Sequence, residues 1–510
     1  MHVKDERTAN FSVSRVFSDN MVLQRDELVR IWGFAPNEDD GKEVFGEFKG
    51  VKAKAIIKNG EWCITFPETF CADTSANCMK IYSGEKEIVF KDVLVGDVLM
   101  VIGQSNVEAE MSVHFSLTDP AVCGGGEEAV NPQEPIRLNR TTAKESLDEI
   151  FGVKGTRNVC RDCLNNTQWT KTTLEETLKF SALGYYFAKE MVKRSDEKIP
   201  YGIIEVGFSG MPLGAFLPNE VADKLKTDTY DEKKGIYTTT GRNAKEGSGR
   251  YIYNRHIYPF EKYSIAGLVW YQGESNGDIT EAPYYNDRFS ALVEHMRSTH
   301  NIINRNFPVF VVELPSIYPK PEGYTGTDAL RWRYIEIGMV RSYIGTIPLQ
   351  IENSYVAACG DLWGNKEYCN GLHPYIKYEQ AQRIADIAQV ILLKKGTLDE
   401  ATGPIFEALN VSDDLKKAKI TFKNVGEGLS TSDGGNKVRG IVGLIRKDNT
   451  LQAITPQDSC ITDKNEITVL FDEMVDGVAY NFKDSDYYSE TINLCNSFGK
   501  IATGFCKVGN

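Results

Sequence analysis

Apolar runs alternate with helical patterns through the middle of this chain, and that alternation limits the fold more than any other feature. Residues 98–102 (VLMVI), 202–206 (GIIEV), 265–271 (IAGLVWY) and 308–312 (PVFVV) are near-continuous apolar stretches. A strand with one solvated face alternates apolar and polar residues, whereas a strand buried on both faces, as in a parallel sheet, does not. Between the runs, apolar residues recur at spacings of three to four: Phe180, Leu183, Phe187 and Met191; Phe289, Leu292 and Met296; Ala381, Ile384, Ile387 and Ile391. Strand and helix in repetition predict an α/β fold with a parallel sheet.

The flanks read differently. Short strand patterns separated by turn residues fill residues 11–90, for example 28–32 (LVRIW), 51–57 (VKAKAII) and 61–66 (EWCITF), with turns at Pro36-Asn37, Asn59-Gly60 and Gly84. After Gly396 the pattern returns in 419–422 (KITF), 440–445 (GIVGLI) and 466–471 (EITVLF). Many short strands at regular spacing predict small β-sandwiches. At ~150 residues per domain, 510 residues suggest about three domains. The zones divide as an N-terminal β-sandwich domain over 1–93, an α/β domain over 94–395 and a C-terminal β-sandwich domain over 396–510. The stretch 117–166, rich in Gly, Glu, Pro and Asn, reads as an irregular surface loop or lid.

Composition narrows the partners. Apolar residues at 41% and charged residues at 25% are globular proportions, not those of a disordered chain. A net charge of −13 with no Lys/Arg block argues against nucleic acid and against an anionic membrane. No apolar run approaches the ~20 residues that span a bilayer. The polar start, MHVKDERTAN, is not a signal peptide, so the expected location is cytoplasmic, or secreted or periplasmic if a leader has been removed. Eleven Cys, an odd number spread over the whole length, make no disulfide framework, and the single CxxC at Cys160 and Cys163 has no second pair at zinc-finger spacing, so reduced thiols are expected.

Chemistry is expected beyond the carboxyl ends of the strands, where ligands sit in open α/β sheets. Gly103-Gln104-Ser105-Asn106 follows the run 98–102: a Ser after a Gly is a candidate nucleophile whose backbone N–H can face an oxyanion. Gly207-Phe208-Ser209-Gly210 follows the second run, and its glycines permit close backbone approach to a ligand. Gln272, in Gln272-Gly273-Glu274-Ser275-Asn276 after the third run, carries an amide that can donate to an oxyanion without titrating. Of six His, His373 stands apart, in the loop Asn370-Gly371-Leu372-His373-Pro374 before a helix that begins near Tyr378. Each feature alone also fits an ordinary turn. Together they form the nucleophile, base and oxyanion-hole set of acyl transfer.

These motifs resemble the sialate O-acetylesterase-like carbohydrate esterases of the SGNH hydrolase superfamily. GDVLMVIGQSNVEAEM (96–111) resembles that family's GQSNMEW block, and GLVWYQGESN (267–276) matches its second signature almost letter for letter. YNRHIYPF (253–260), FSALGYYFAKEM (180–191), GLHP (371–374), FSDNMVLQRD (17–26) and Ile31-Trp32-Gly33 extend the resemblance over nearly the whole chain. It implies a flavodoxin-like three-layer core. It also implies Ser105 as nucleophile, His373 as base, and an oxyanion hole from the N–H groups of Ser105 and Gly210 and the side chain of Gln272. Gln104, Asn106, Glu108 and Glu274 occupy signature positions and are expected to contact the substrate or support those that do. The Gly block departs from the usual WGG, reading Phe208-Ser209-Gly210 here. Relatives often place Asp three residues before the His, where this chain has Asn370. Asp361 is the favoured replacement because Asp361-Leu362 resembles an upstream Asp-Leu pair, with Glu367 or a Ser–His dyad steadied by a backbone carbonyl as alternatives.

The implied activity is removal of O-acetyl groups from sugars, sialic acid first and acetylated xylan or other glycans second. It needs no metal or organic cofactor, and the sequence has no HExxH, Walker A or dinucleotide motif. Two readings compete. One is a glycan-binding protein that has lost catalysis, favoured by the missing Asp. The other is a glycoside hydrolase using two of Glu108, Glu110 and Glu274, which needs a carboxylate pair about 5–9.5 Å apart.

Overall fold

A computed structural model describes residues 10–115, 126–141, 156–162, 168–241, 244–277, 280–316, 331–362, 373–447, 450–482 and 492–508. Its central sheet is built from β1 (Val22–Gln24), β2 (Lys86–Gly103), β3 (Ile136–Arg140), β4 (Trp169–Lys171), β5 (Tyr201–Gly207), β6 (Gly267–Tyr271), β7 (Val309–Val312) and β8 (Ser354–Ala357). The strand order is β4-β3-β5-β2-β6-β7-β8, and every pair after β4-β3 is parallel. All four long apolar runs lie in this sheet, and β5, β6 and β7 are buried along their whole length. The chain fills one side of β2 with β3, β4 and β5 before it crosses to β6, β7 and β8. The carboxyl end of β2 is therefore the point where the winding reverses, the usual place for a ligand crevice.

The helical patterns are helices. They include α1 (Ser105–Glu108), α2 (Met111–Phe115), α3 (Ala182–Arg194), α4 (Tyr285–Thr299), α5 (Arg331–Ile344) and α6 (Lys377–Leu393). The apolar stripe of α3 packs on β5 and that of α6 on β7 and β8, and the two helices pack against each other. Ser181 caps α3 by accepting the Gly184 N–H at 3.2 Å, the arrangement preferred at helix starts. None of the described helices is long and apolar enough to cross a membrane.

The boundary expected between residues 93 and 94 falls inside β2. Residues 86–92 of β2 are mostly exposed or half-buried and pair with Asp73–Ser83; from Val93 onward every residue is buried, and the strand continues without a break into the parallel sheet. Around the first half of β2 lie a three-stranded sheet (Ser12–Val13, Leu28–Phe34, Glu61–Thr69) and the strands Glu43–Phe48 and Val51–Ile56. One hydrophobic core runs through both regions. The expectation of an irregular loop over 117–166 is corrected in part: residues 136–140 form β3, a largely buried strand beside β5. Its sequence, IRLNR, hides this because Arg137 reaches Asp92 at 3.3 Å instead of presenting an apolar side chain.

After α6, two four-stranded sheets enclose a second core of Phe406, Ile420, Phe422, Ile467, Val478, Tyr480 and Phe505. Buried carboxylates seat both flanking regions. Glu27 accepts the N–H groups of Ile303 and Asn304 at 2.9 and 2.8 Å. Glu313, next after β7, accepts those of Cys359 and Gly360 at 2.9 Å and of Gly504 at 2.6 Å.

Gly103 ends β2 where no side chain fits: a Cβ there would lie 2.0 Å from the Tyr271 carbonyl oxygen and 2.7 Å from Val107 Cγ2. Gly103→Ala is expected to destabilise the fold by about 2 kcal/mol or more, read as a lowered urea midpoint; an unchanged midpoint would show that β2 and β6 do not meet this closely.

Candidate active site

Register brings three loops to one place. Gly207 of β5 and Tyr271 of β6 are both direct partners of Gly103 in β2. The residues that follow these strand ends therefore leave the sheet at the same level. Gly207 also lacks room for a side chain, since a Cβ would come 2.8 Å from the Glu108 backbone nitrogen. Its absence lets α1 cross the end of β5. Ser105 is the first residue of α1, so its N–H has no acceptor within the helix. Gly210 sits at φ +72° with open space where a side chain would project. Among the described residues, neither the Ser105 nor the Gly210 backbone N–H has a hydrogen-bond acceptor.

His373 Nε2 lies 2.7 Å from Ser105 Oγ, across 268 residues of sequence. Burial, reinforced by the positive charge of Lys377, holds the imidazole below its ordinary pKa. It is therefore neutral at neutral pH and able to accept the Ser105 proton. The other described histidines serve the fold. Burial pushes His114 and His256 down to about 3 and His300 to about 4, and His295 faces Glu220 and Glu261.

The signature residues surround this pair. Glu108 accepts the Ser209 N–H at 2.9 Å and the Ser209 hydroxyl, which ties the Gly210 turn to the helix that carries Ser105. Asn106 is buried; its amide donates to Glu274, and its oxygen accepts from Lys377 Nζ at 2.7 Å. Burial raises the Glu274 carboxyl pKa, while the Asn106 contact opposes the rise. Gln272 is fully buried. Its Nε2 faces Asn276 Oδ1 at 2.8 Å and both Gln104 Oε1 and the Met211 carbonyl at 3.2 Å. The Tyr285 hydroxyl donates within reach of both the Gln272 carbonyl at 2.6 Å and its Oε1 at 3.0 Å. The amide protons of Gln272 thus rest on protein acceptors beside Ser105.

Asp361 has both oxygens on Arg383 of α6, at 2.6 and 2.8 Å. Glu367 and Asn370 lie outside the described residues. The three acids weighed for glycoside hydrolysis each hold a protein group: Glu108 holds Ser209, Glu274 holds Asn106, and Glu110 pairs with Arg140 at 3.1 Å. Among the described residues, no group of three His, Cys, Asp or Glu side chains is placed to hold a metal ion.

Sequence reading missed Lys377, Arg383 and Tyr285. Lys377 did leave a signal. It is the first residue of α6, where the helix dipole disfavours a cation, so a lysine there needs a specific partner.

Comparison with known proteins agrees with the motifs. Residues 95–341 match the family model described as carbohydrate esterase, sialic acid-specific acetylesterase. The matched span holds Ser105, Gly210 and Gln272 and ends before Asp361 and His373. Sialate O-acetylesterases of Pongo abelii and Homo sapiens are each 25% identical over 305 residues, 58% of this chain and 53% of theirs. The chain thus spans about half the length of the curated relatives it matches. A crystal structure of a carbohydrate acetylesterase from Xanthomonas citri superposes with a TM-score of 0.73 at 21% identity, covering 98% of this chain and 99% of that one. The last likeness is one of fold.

The contact between a neutral imidazole and the Ser105 hydroxyl can be tested without any substrate. A fluorophosphonate probe is expected to label Ser105 in the native protein and to fail after His373→Ala; equal labelling of both would show that the contact does not activate the serine.

Proposed function

We propose that the chain is a serine carbohydrate esterase that removes O-acetyl groups from sugars. O-acetylated sialic acid is the first candidate substrate and acetylated xylan or another glycan the second. The supporting observation is the 2.7 Å contact of His373 Nε2 with Ser105 Oγ, beside two backbone N–H groups without an acceptor among the described residues. The family match over residues 95–341 supports the acyl group and the sugar class.

In this reading His373 takes the Ser105 proton as Oγ attacks the acetyl carbonyl. The N–H groups of Ser105 and Gly210 receive the oxyanion, each donor contributing about 3 kcal/mol in the transition state. Gln272 joins them by exchanging one of its two 3.2 Å contacts for the oxyanion, because a bond to a charged acceptor is stronger than one to a neutral carbonyl. His373 then gives its proton to the departing sugar oxygen. Water, deprotonated by the same base, releases acetate from Ser105. Gln104, Asn106, Glu108 and Glu274 hold the loops that carry these groups.

The proposed architecture has three parts. A flavodoxin-like three-layer core over 94–395 carries the site, and β-sandwich domains over 1–93 and 396–510 flank it. Asp361 supports the base at one remove: its pair with Arg383 ties the residues just after β8 to α6, the helix that follows His373. An acid bonded directly to the imidazole is worth about 10⁴ in kcat, as in the serine protease triad. Asp361→Asn is therefore expected to cost only about tenfold and to lower the melting temperature. A loss near that of His373→Ala would instead make Asp361 the direct partner.

The deciding assay is acetate release from 4-nitrophenyl acetate, O-acetylated sialic acid and acetyl-xylan by the native protein, Ser105→Ala and His373→Ala. Turnover that both substitutions abolish is the expected result. Failure on all three substrates would move the reading to a glycan-binding protein. Because burial and Lys377 lower the His373 pKa, activity should persist as pH falls through the ordinary histidine range near ~6.5 and decline only below it. An acidic limb above that value would contradict a neutral, charge-shielded base.

A further inference from the structure

Lys377 is an almost wholly buried lysine (1% exposed) at the first turn of a helix, which is a costly place for an ammonium group. What it touches accounts for its presence. Nζ donates to Asn106 Oδ1 at 2.7 Å and to the Pro374 carbonyl at 2.7 Å. Asn106 is the residue after the nucleophile, and Pro374 is the residue after the base. The ammonium also lies 5.4 Å from the centre of the Tyr271 ring, at the end of β6, whose hydroxyl accepts from Gln380 of α6 at 3.1 Å. One cation thus spans α1, the loop before α6 and the end of β6.

We propose that Lys377 is a positioning residue that locks the Ser105 and His373 loops into reacting distance and sets a fixed positive charge beside the base. The proposal rests on the esterase reading above and goes beyond it by naming what holds the pair together. A point charge with three donors is suited to such a lock. Two carbonyl-type acceptors on separate segments are drawn to one atom.

The electrostatic part follows from what surrounds the imidazole. Elements around the His373 loop carry Glu108 on α1, His114 on α2, Glu274 after β6, and Lys377, Glu379 and Arg383 on α6, with Asp361 after β8. Glu108 is held by Ser209, Glu274 by Asn106, and Asp361 and Glu379 by Arg383, while burial keeps His114 neutral. Of these groups, Lys377 is the one whose charge acts on His373, and it disfavours the imidazolium. Removing the charge must raise the His373 pKa, so the acidic limb of activity must move to higher pH.

The test compares native protein, Lys377→Met, Lys377→Arg and Ser105→Ala in 4-nitrophenyl acetate hydrolysis across pH, with folding checked by circular dichroism. Lys377→Met is expected to lose about tenfold or more in kcat with KM nearly unchanged and its acidic limb at higher pH. Lys377→Arg should restore the limb, because the charge is kept, and only part of kcat, because the geometry differs. A Lys377→Met protein with native kcat and limb overturns the proposal. Should that variant not fold, the native protein carries the second test. The His373 ring signal, identified by its loss in His373→Gln, should titrate below the ordinary histidine range by NMR, and titration at or above that range overturns the electrostatic role. If the native protein is no faster than Ser105→Ala, the esterase reading fails while the ring titration still reports on Lys377.

Discussion

Everything at the candidate site depends on three parallel strands ending in register where no side chain separates them. Gly103 stands between Gly207 and Tyr271, and both glycines are positions where a Cβ would strike backbone atoms of a neighbouring segment. This closeness lets a four-residue helix start directly on β2 and cross the end of β5. Ser105 is then held close to the buried sheet and not by a long loop. The Gly210 turn is tied to the same helix through Glu108, so Ser105 and the turn that carries Gly210 share one anchor. Such a preorganised frame costs no rearrangement when charge develops on a bound carbonyl.

The polar groups behind the site form a continuous buried set. Glu274, Asn106 and Lys377 bond in sequence, and Lys377 ends on the loop that carries His373. Buried ions are costly unless they are paired and hydrogen-bonded, and here each has a partner on a different element. The same device seats the flanking regions. Glu27 collects N–H groups from residues after α4, and Glu313 joins β7, the segment after β8 and Gly504 near the C-terminus. Gly504 thus shares Glu313 with Cys359 and Gly360, and Arg341 of α5 donates to Asn481 of the C-terminal region at 3.0 Å.

How much of this is legible in sequence differs from element to element. The buried strands are readable because a parallel strand has two apolar faces and so leaves an unbroken run. The strand β3 is not, because Arg137 and Asn139 occupy buried positions, Arg137 through a polar contact that no periodicity records. The change of pattern inside β2 is visible, but it marks one strand leaving a one-sided sheet for a two-sided one, and the expected boundary at residue 93 falls inside that continuous strand. Ser105, Gly210, Gln272 and His373 can be singled out by motif, whereas their spacing in the fold depends on residues with no motif. Lys377 acts by reaching inward between loops more than 250 residues apart in sequence, a relation that only the folded chain displays. Asp361 is marked in sequence by its neighbour Leu362, and its engagement by Arg383 cannot be read from that pair.

In the proposed reaction, Ser105 is the residue that receives the acyl group. Rapid acid quenching of the protein with 4-nitrophenyl acetate, followed by peptide mass spectrometry, measures this directly. One added acetyl group is expected on the peptide that contains Ser105, accumulating in the native protein and absent after His373→Ala. Turnover without that adduct, or an acetyl group carried on a different side chain, would contradict it.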